Sequence, residues 1–512
     1  MIDVRDAMRR AAEWHQNRTA VISGDRTLTF GEAWTRGIRL ANGLLAMGLR
    51  PQDRIAVLED NCVEAADFFL AAAIGNFVRV PLYKRNSPEA HAHMIGHTGC
   101  RAAVVSEAYA HELAHARDTL PGLDQVIVRD DGYEAWLAQQ SDVDPDPVID
   151  LDDLYIIRHS GGTTGLPKGM AFSHRQWMNM ERDWILRLPP IEAGDACVHV
   201  APISHGSGYL FIPVWMAGGY NVLAPKFDAP KVLKLLAQHG GYFFTVPTMV
   251  GDLVSARADA RDLAFDGLKA MVIGGSPIMP STALAAREIF GHRLHQMYGE
   301  TEATPAAWMT PNEWFAEVPG SNPLLAAGKV MPFAYLEIRD EAGRRLPVGE
   351  VGVVTIKNDG QIEAIWNEPE LTKQRLIDGW LVTGDVGRLD ENGYLYLVDR
   401  KDDMIISGGF NIWPAELELA ISTLPEVREV AVVRGPHERW GETPIAIVVL
   451  HDGELLTEEQ VVDCCKERLG PLKRPTKVIF RGEPLPRTPV GKVQRKALRE
   501  AFWAKEGALQ GS

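Results

Sequence analysis

Short apolar runs that break off into glycine-rich loops constrain this chain more than any other feature. The sharpest is Leu154 to Ile157, which reads as a buried strand and leads into Ser160-Gly161-Gly162-Thr163-Thr164-Gly165-Leu166-Pro167-Lys168-Gly169. A second short strand, Met170 to Phe172, follows. Ser173 then stands where it can cap a helix to about Ile185. The loop holds four glycines, three hydroxyls and one lysine. Glycines let backbone N–H groups approach an anion closely. Hydroxyls donate to phosphate oxygens or hold a magnesium ion, and the lysine adds a full positive charge. The composition suits a polyphosphate, although a plain hairpin turn would share its glycines. It is not a Walker loop, because Lys168 lies between Pro167 and Gly169.

At 512 residues the chain is too long for one core, and roughly three domains are expected. The longest apolar run, Phe68 to Gly75, falls far short of the roughly 20 residues that span a bilayer. The N-terminal residues carry no secretory apolar region, so a cytoplasmic enzyme with no integral membrane association is expected. Five scattered cysteines without metal-ligand spacing read as buried reduced thiols. The net charge of −15 argues against nucleic-acid binding. It also means that anionic substrates must be drawn in by local cations.

The first 150 residues alternate helix and strand, which implies parallel sheets covered on both faces. Asp142-Val143-Asp144-Pro145-Asp146-Pro147 reads as a connector to a second α/β layer over about 151–325. There, buried strands end in Val246, in Gly274-Gly275-Ser276, and in Tyr298-Gly299-Glu300-Thr301-Glu302. Ligands of open α/β sheets bind at such strand ends. From about Leu324, strands separated by tight turns read as a small β-barrel over about 326–400. The last 110 or so residues are α+β in pattern. His93 and His97 could share a helix face, but no partner carboxylate follows, so packing histidines are the expectation.

Five segments in series resemble the adenylate-forming superfamily of acyl-CoA synthetases, carrier-loading adenylation domains and luciferases. They are the loop at Ser160–Gly169, Tyr298–Glu302, Thr383-Gly384-Asp385, Asp399 to Asn411, and Pro486 to Lys496. One such match arises easily by chance; five in the family's order over the whole chain do not. The chain departs from the pattern at Gly161, where a serine is common, and at Asn411, where some relatives carry an arginine.

The resemblance implies an α/β fold. A large N-terminal domain, residues 1–401, would comprise two doubly wound α/β subdomains (about 1–150 and 151–325) and the β-barrel. A small mobile α+β C-terminal domain, residues 402–512, would turn on a hinge at Asp402. ATP would meet Ser160, Gly161, Gly162, Thr163, Thr164, Gly165, Lys168, Gly275, Ser276, Tyr298, Gly299, Glu300, Thr301, Asp385 and Arg400. Tyr298 would stack on adenine and Asp385 would accept both ribose hydroxyls. Glu302 and Thr164 would hold magnesium. His205, Gly206, Ser207, Val246, Gly274 and Gly275 would border the acyl group. Gly408, Gly409 and Phe410 would contact coenzyme A. Lys492, with Thr301, Glu302 and His205, would serve catalysis.

The implied reaction joins a carboxylic acid to CoA at the expense of ATP, through an acyl-adenylate. The small residues after His205 lean the expectation toward a medium- or long-chain fatty acid or a bulky, steroid-like acid. An aryl acid, a carrier protein as acceptor, and a non-catalytic acyl-AMP or ATP sensor stay open, as do monomer and homodimer.

Overall fold

Three sheets carry the fold. The computed structural model describes residues 2–84, 86–113, 119–120, 122–159, 166–400, 403–407, 410–437, 440–487 and 493–507. The first sheet has six strands in the order Gln125–Arg129, Ala102–Ser106, Arg54–Leu58, Val78–Pro81, Leu154–His159 and Gly169–Ser173. All pairs are parallel except the last. Its central strands are buried except at Arg54, which is why they read as mostly apolar runs rather than as alternating ones.

The helix Val63–Ile74 is buried along almost its whole length. It packs on Phe30–Ala46 so closely that a Cβ on Gly37 would lie 2.7 Å from the Leu70 Cβ. Thr29 and Glu32 close the start of Phe30–Ala46 with a reciprocal capping box.

The second sheet has fourteen strands. Its middle is parallel: Tyr220–Leu223, Ala196–His199, Gly241–Thr245, Leu268–Ile273 and Leu294–Glu300. Beyond them Ala303–Met309, Gly328–Val330, Tyr394–Arg400, Trp380–Leu389, Gly352–Asn358 and Ala334–Arg339 pair antiparallel. These last strands enclose a small core of Tyr298, Ala303, Ile338, Val354, Ile356, Leu381 and Leu395. The expected barrel is therefore the curled end of the large sheet, continuous with it through Gly328–Val330.

The sheets also ignore the expected cut near residue 150. The hairpin Thr19–Ser23 and Arg26–Thr29 joins the far edge of the large sheet, whereas Leu154–His159 and Gly169–Ser173 complete the six-stranded one. Strand pairing is decided by which apolar face finds cover, and chain order alone cannot reveal it. The acidic connector is tied down. Arg5 reaches Asp144 at 2.8 Å and Asp146 at 2.7 Å, and Asn42 donates to the carbonyls of Ser141 and Val143.

The third sheet is built around Gly441–Leu450, flanked by Val427–His437 and Lys477–Arg481, with Ile405–Ser407 and Phe410–Ile412 at one end. Helices Pro414–Ile421 and Glu458–Leu469 cover one face, through Leu417, Ile421, Val461 and Cys465. Leu498 of Arg495–Gly507 covers the other. All five cysteines are free, and four are buried. No helix among the described residues is long and apolar enough to cross a membrane.

Ser173 caps His174–Arg187 as expected: its side chain accepts from Gln176 N, while Gln176 reaches back to the Ser173 backbone. Ser173→Ala should lose about 1 kcal/mol of stability, the usual cost of a lost N-cap. The urea midpoint should fall with no change in the slope of the transition. An unchanged midpoint would mean that water replaces the cap at no cost.

Candidate active site

Parallel pairing puts the carboxyl ends of three neighbouring strands on one edge. Gly241–Thr245 delivers Val246, Leu268–Ile273 delivers Gly274-Gly275-Ser276, and Leu294–Glu300 ends in Tyr298-Gly299-Glu300 and runs on to Thr301-Glu302. Val246 is half-buried, and Gly275 and Ser276 are exposed. Gly275 has φ +86°, a left-handed conformation that glycine alone adopts freely. Gly274 is close-packed, since a Cβ there would lie 2.6 Å from Met297 Sδ.

The strand Trp380–Leu389 brings Asp385 to the same place. Tyr298 donates its hydroxyl to Asp385 at 2.8 Å, and Arg400 Nε donates to the other carboxylate oxygen at 2.9 Å. Burial, reinforced by Asp385, holds the Tyr298 hydroxyl far above its ordinary range, so it stays a donor. The Tyr298 ring packs into the small core and is 8% exposed, so a purine can meet only the strip left open.

Next to this triad lies a carboxylate pair. Glu300 receives Arg375 at 2.6 Å and the Gly384 N–H at 3.2 Å, and Arg375 also reaches Glu302 at 3.4 Å. Burial first, then the charge of Glu302, pushes Glu300 up to about 7 against the pull of Arg375 and Arg400. Glu302 shares Arg375 with Glu300, which Arg400 also approaches at 3.7 Å, and the Glu302 carboxylate offers a hard oxygen. Glu302 therefore fits a divalent cation such as magnesium, with phosphate oxygens completing the shell. Among the described residues no cluster of three or more ligating side chains exists, so phosphate would have to supply the rest.

Lys168 stands half-buried just before the strand Gly169–Ser173. His93 Nε2 donates to the Pro167 carbonyl at 3.2 Å, and its ring stacks on His97. The two histidines thus brace the end of the loop. Ser160 to Gly165, Asp402, Gly408, Gly409 and Lys492 lie outside the described residues. Phe410 is in a strand paired to Ile405–Ser407.

The segment after His205 differs from expectation. Ser207 is fully buried and bonds His199 Nδ1 at 2.8 Å. A Cβ on Gly206 would meet Phe244 at 2.6 Å, and one on Gly208 would lie 1.9 Å from the Ile203 carbonyl oxygen. At Gly206 and Gly208 the protein's own atoms stand where a side chain would begin. His205 is half-buried. Its Nδ1 lies 3.0 Å from Arg158 Nη2 and 3.3 Å from the Tyr83 hydroxyl.

Arg375 carried no signal in the sequence, because an arginine ending a short polar helix resembles any solvated one. Arg158 did carry one: a charged residue inside the otherwise buried strand Leu154–His159 demands a reason.

A model described as "AMP-binding enzyme" matches residues 8–366, and one for the AMP-binding enzyme C-terminal domain matches 416–492. The chain is 32% identical to a feruloyl-CoA synthase of Amycolatopsis, covering 96% of this chain and 98% of that one. It is 31% identical to a long-chain-fatty-acid–CoA ligase of Mycobacterium tuberculosis, covering 94% of each. The solved structure of ATP-bound MatB from Rhodopseudomonas palustris superimposes with a TM-score of 0.87 at 27% identity, over 98% of this chain and 99% of the other.

The raised pKa of Glu300 has a thermodynamic consequence. The unfolded chain releases this proton near 4.5, while the folded one keeps it until about 7. The contribution to stability is thus full below about 4.5 and is lost as pH rises through about 7, by up to about 3 kcal/mol. Glu300→Gln should flatten the fall in urea midpoint on going from acid to alkaline pH. If variant and parent fall in parallel, another group carries that titration.

Proposed function

The chain belongs to the AMP-binding enzyme family, and from that membership we propose an ATP-dependent acid–thiol ligase that converts a carboxylic acid to acyl-AMP and then passes the acyl group to coenzyme A. The observation that carries this reading is the common edge of Val246, Gly274–Ser276 and Tyr298–Glu302, with Asp385 held between Tyr298 and Arg400 beside it. The CoA-ligase names of the relatives support it.

A carboxylate is a poor electrophile. Attack of its oxygen on the α-phosphorus of ATP forms a mixed anhydride and expels pyrophosphate. The thiol of CoA then attacks the acyl carbon, and AMP leaves with the electron pair of the broken C–O bond. The barrier in the first step lies in joining two anions and stabilising charge on the α-phosphate.

In our reading Asp385 accepts the ribose hydroxyls, sharing its oxygens with Tyr298 and Arg400. The exposed Gly275-Ser276 turn borders the base. Thr301 donates to the α-phosphate. Lys168 and the loop from Ser160 to Gly165 receive the other phosphates. Glu302, with Thr164, would hold magnesium, which neutralises phosphate charge when bound. Lys492 bridges carboxylate and α-phosphate. Gly408, Gly409 and Phe410 line the path of the CoA arm once the C-terminal domain, residues 402–512, has turned about Asp402. ATP and CoA are cytoplasmic pools, and we place the reaction there.

The test is acid-dependent pyrophosphate release with dodecanoate, hexadecanoate, ferulate and indoleacetate, followed by acyl-CoA detection with CoA or a phosphopantetheinylated carrier. Pyrophosphate release that needs an acid, with acyl-CoA as product, supports the reading. No release with any acid, despite ATP binding, would leave a sensor.

Lys492→Ala should slow acyl-adenylate formation by about 10²–10³, the loss expected for one preorganised donor. Given preformed acyl-AMP and CoA, the variant should form acyl-CoA at close to the parent rate. Single-turnover kinetics of each half-reaction separates the two. Equal loss in both would make Lys492 a general attractor of phosphate.

A further inference from the structure

We propose that Arg158 is a positioning residue that fixes His205 as the neutral imidazole with hydrogen on Nε2, so that His205 serves adenylation as a hydrogen-bond donor and not as a base. This rests on the ligase reading above, with His205 taken to serve adenylation as the family resemblance implies.

Arg158 is the penultimate residue of Leu154–His159 and is 1% exposed. One Nη donates to the Tyr209 hydroxyl and the other lies 3.0 Å from His205 Nδ1. The guanidinium sits 4.4 Å over the Tyr209 ring, and its Nε has no partner. Among the described residues it has no carboxylate partner. A guanidinium has donors only and keeps its charge at any working pH. His205 Nδ1 must therefore accept. A proton there would set donor against donor, beside a buried positive charge.

The described groups around the pair leave that logic intact. Tyr83 already gives its hydrogen to the His159 carbonyl at 2.8 Å, and burial pushes its hydroxyl up to about 12. It is no source of negative charge. His159 is held to about 3 by burial and stays neutral. Of the two acids on the facing helix, Asp183 accepts from its neighbour Arg182 at 3.0 Å, and Glu181 is fully buried, with both its oxygens lacking hydrogen-bond partners. Burial pushes Glu181 well above its ordinary range against the pull of Trp177 and Arg158, which disfavours its charged form. Glu302 lies beyond Tyr209 and is held by Arg375. Tyr209 is stacked on Trp184 at 5.1 Å and on Trp177 at 5.9 Å, which fixes the platform under Arg158.

A neutral Nε2–H presents the same donor from mildly acidic to alkaline pH. It suits a site that must orient a carboxylate oxygen or the carbonyl of an acyl-adenylate. It does not suit deprotonation of a thiol, because the only basic nitrogen is occupied.

Two measurements test this. In the ¹⁵N-histidine-labelled chain, with the His205 signals assigned by difference from His205→Gln, Nε2 should be protonated and Nδ1 bare down to about pH 5.5, a full unit below the ordinary imidazole value. In single-turnover adenylation with dodecanoate or ferulate, whichever drives pyrophosphate release in the parent, Arg158→Met should add an acid limb near about pH 6.5 that the parent lacks. Arg158→Lys, which restores charge and a donor, should remove most of that limb. His205→Gln keeps a donor and should retain adenylation to within about tenfold, whereas His205→Ala should not. A protonated Nδ1 in the parent overturns the proposal, as does loss in His205→Gln equal to that in His205→Ala. If Arg158→Met does not fold, the parent spectrum decides alone. If the parent releases no pyrophosphate with any acid, the ligase reading fails instead, and the tautomer measurement still stands by itself.

Discussion

A single ladder of backbone hydrogen bonds runs from Ala334–Arg339 at one margin to Arg26–Thr29 at the other. Every candidate nucleotide contact other than the loop at 160–168 and Lys492 hangs from it or from the turns it carries. Because the middle strands are parallel, their carboxyl ends fall on one side without further design. Because the later strands turn antiparallel, the chain can return Asp385 and Arg400 to that side from strands some 90 residues further on. Side-chain bonds then fasten the two halves of the ladder together: Tyr298 to Asp385, and Arg375 to both Glu300 and Glu302. Loss of register anywhere between would dismantle the site as surely as loss of a ligand residue.

The strands and helices were largely legible. The strand read at Met170 to Phe172 lies within Gly169–Ser173, and Ser173 caps the helix it precedes. Local signals of this kind depend on neighbours in sequence. The sheet to which each strand belongs does not, and the hairpin at 19–29 joined a partner that no local pattern announces. The same division holds in the site. The turns at Gly274–Ser276 and Tyr298–Glu302 were visible because glycine and acid placement is local. Arg375 was not, because its meaning comes from carboxylates about 75 residues away. The small residues after His205 have a packing reason that the sequence did not show: Phe244 and the Ile203 carbonyl stand where side chains on Gly206 and Gly208 would begin.

Charge follows a similar pattern of global excess and local correction. The chain carries −15 overall, a field that repels polyphosphates at long range. Salt screens such a field beyond about 8 Å, so the cations near the strand ends govern the final approach. Arg375 and Arg400 are each committed to a carboxylate, whereas Arg158 has no carboxylate partner among the described residues.

The hairpin at the far margin bears on how the molecule comes into being. Ser23 bonds the Leu223 carbonyl across 200 residues of chain. A ribosome therefore releases this strand long before its neighbour exists. Until then its apolar face has no lasting cover, and an unpaired strand edge is open to association with other chains. Assembly of the large sheet waits for closure of that span, a contact of high order and hence slow. A fragment cut near residue 150 would carry an orphaned hairpin from one sheet and lack two strands of the other, so neither piece should be expected to behave as a folding unit.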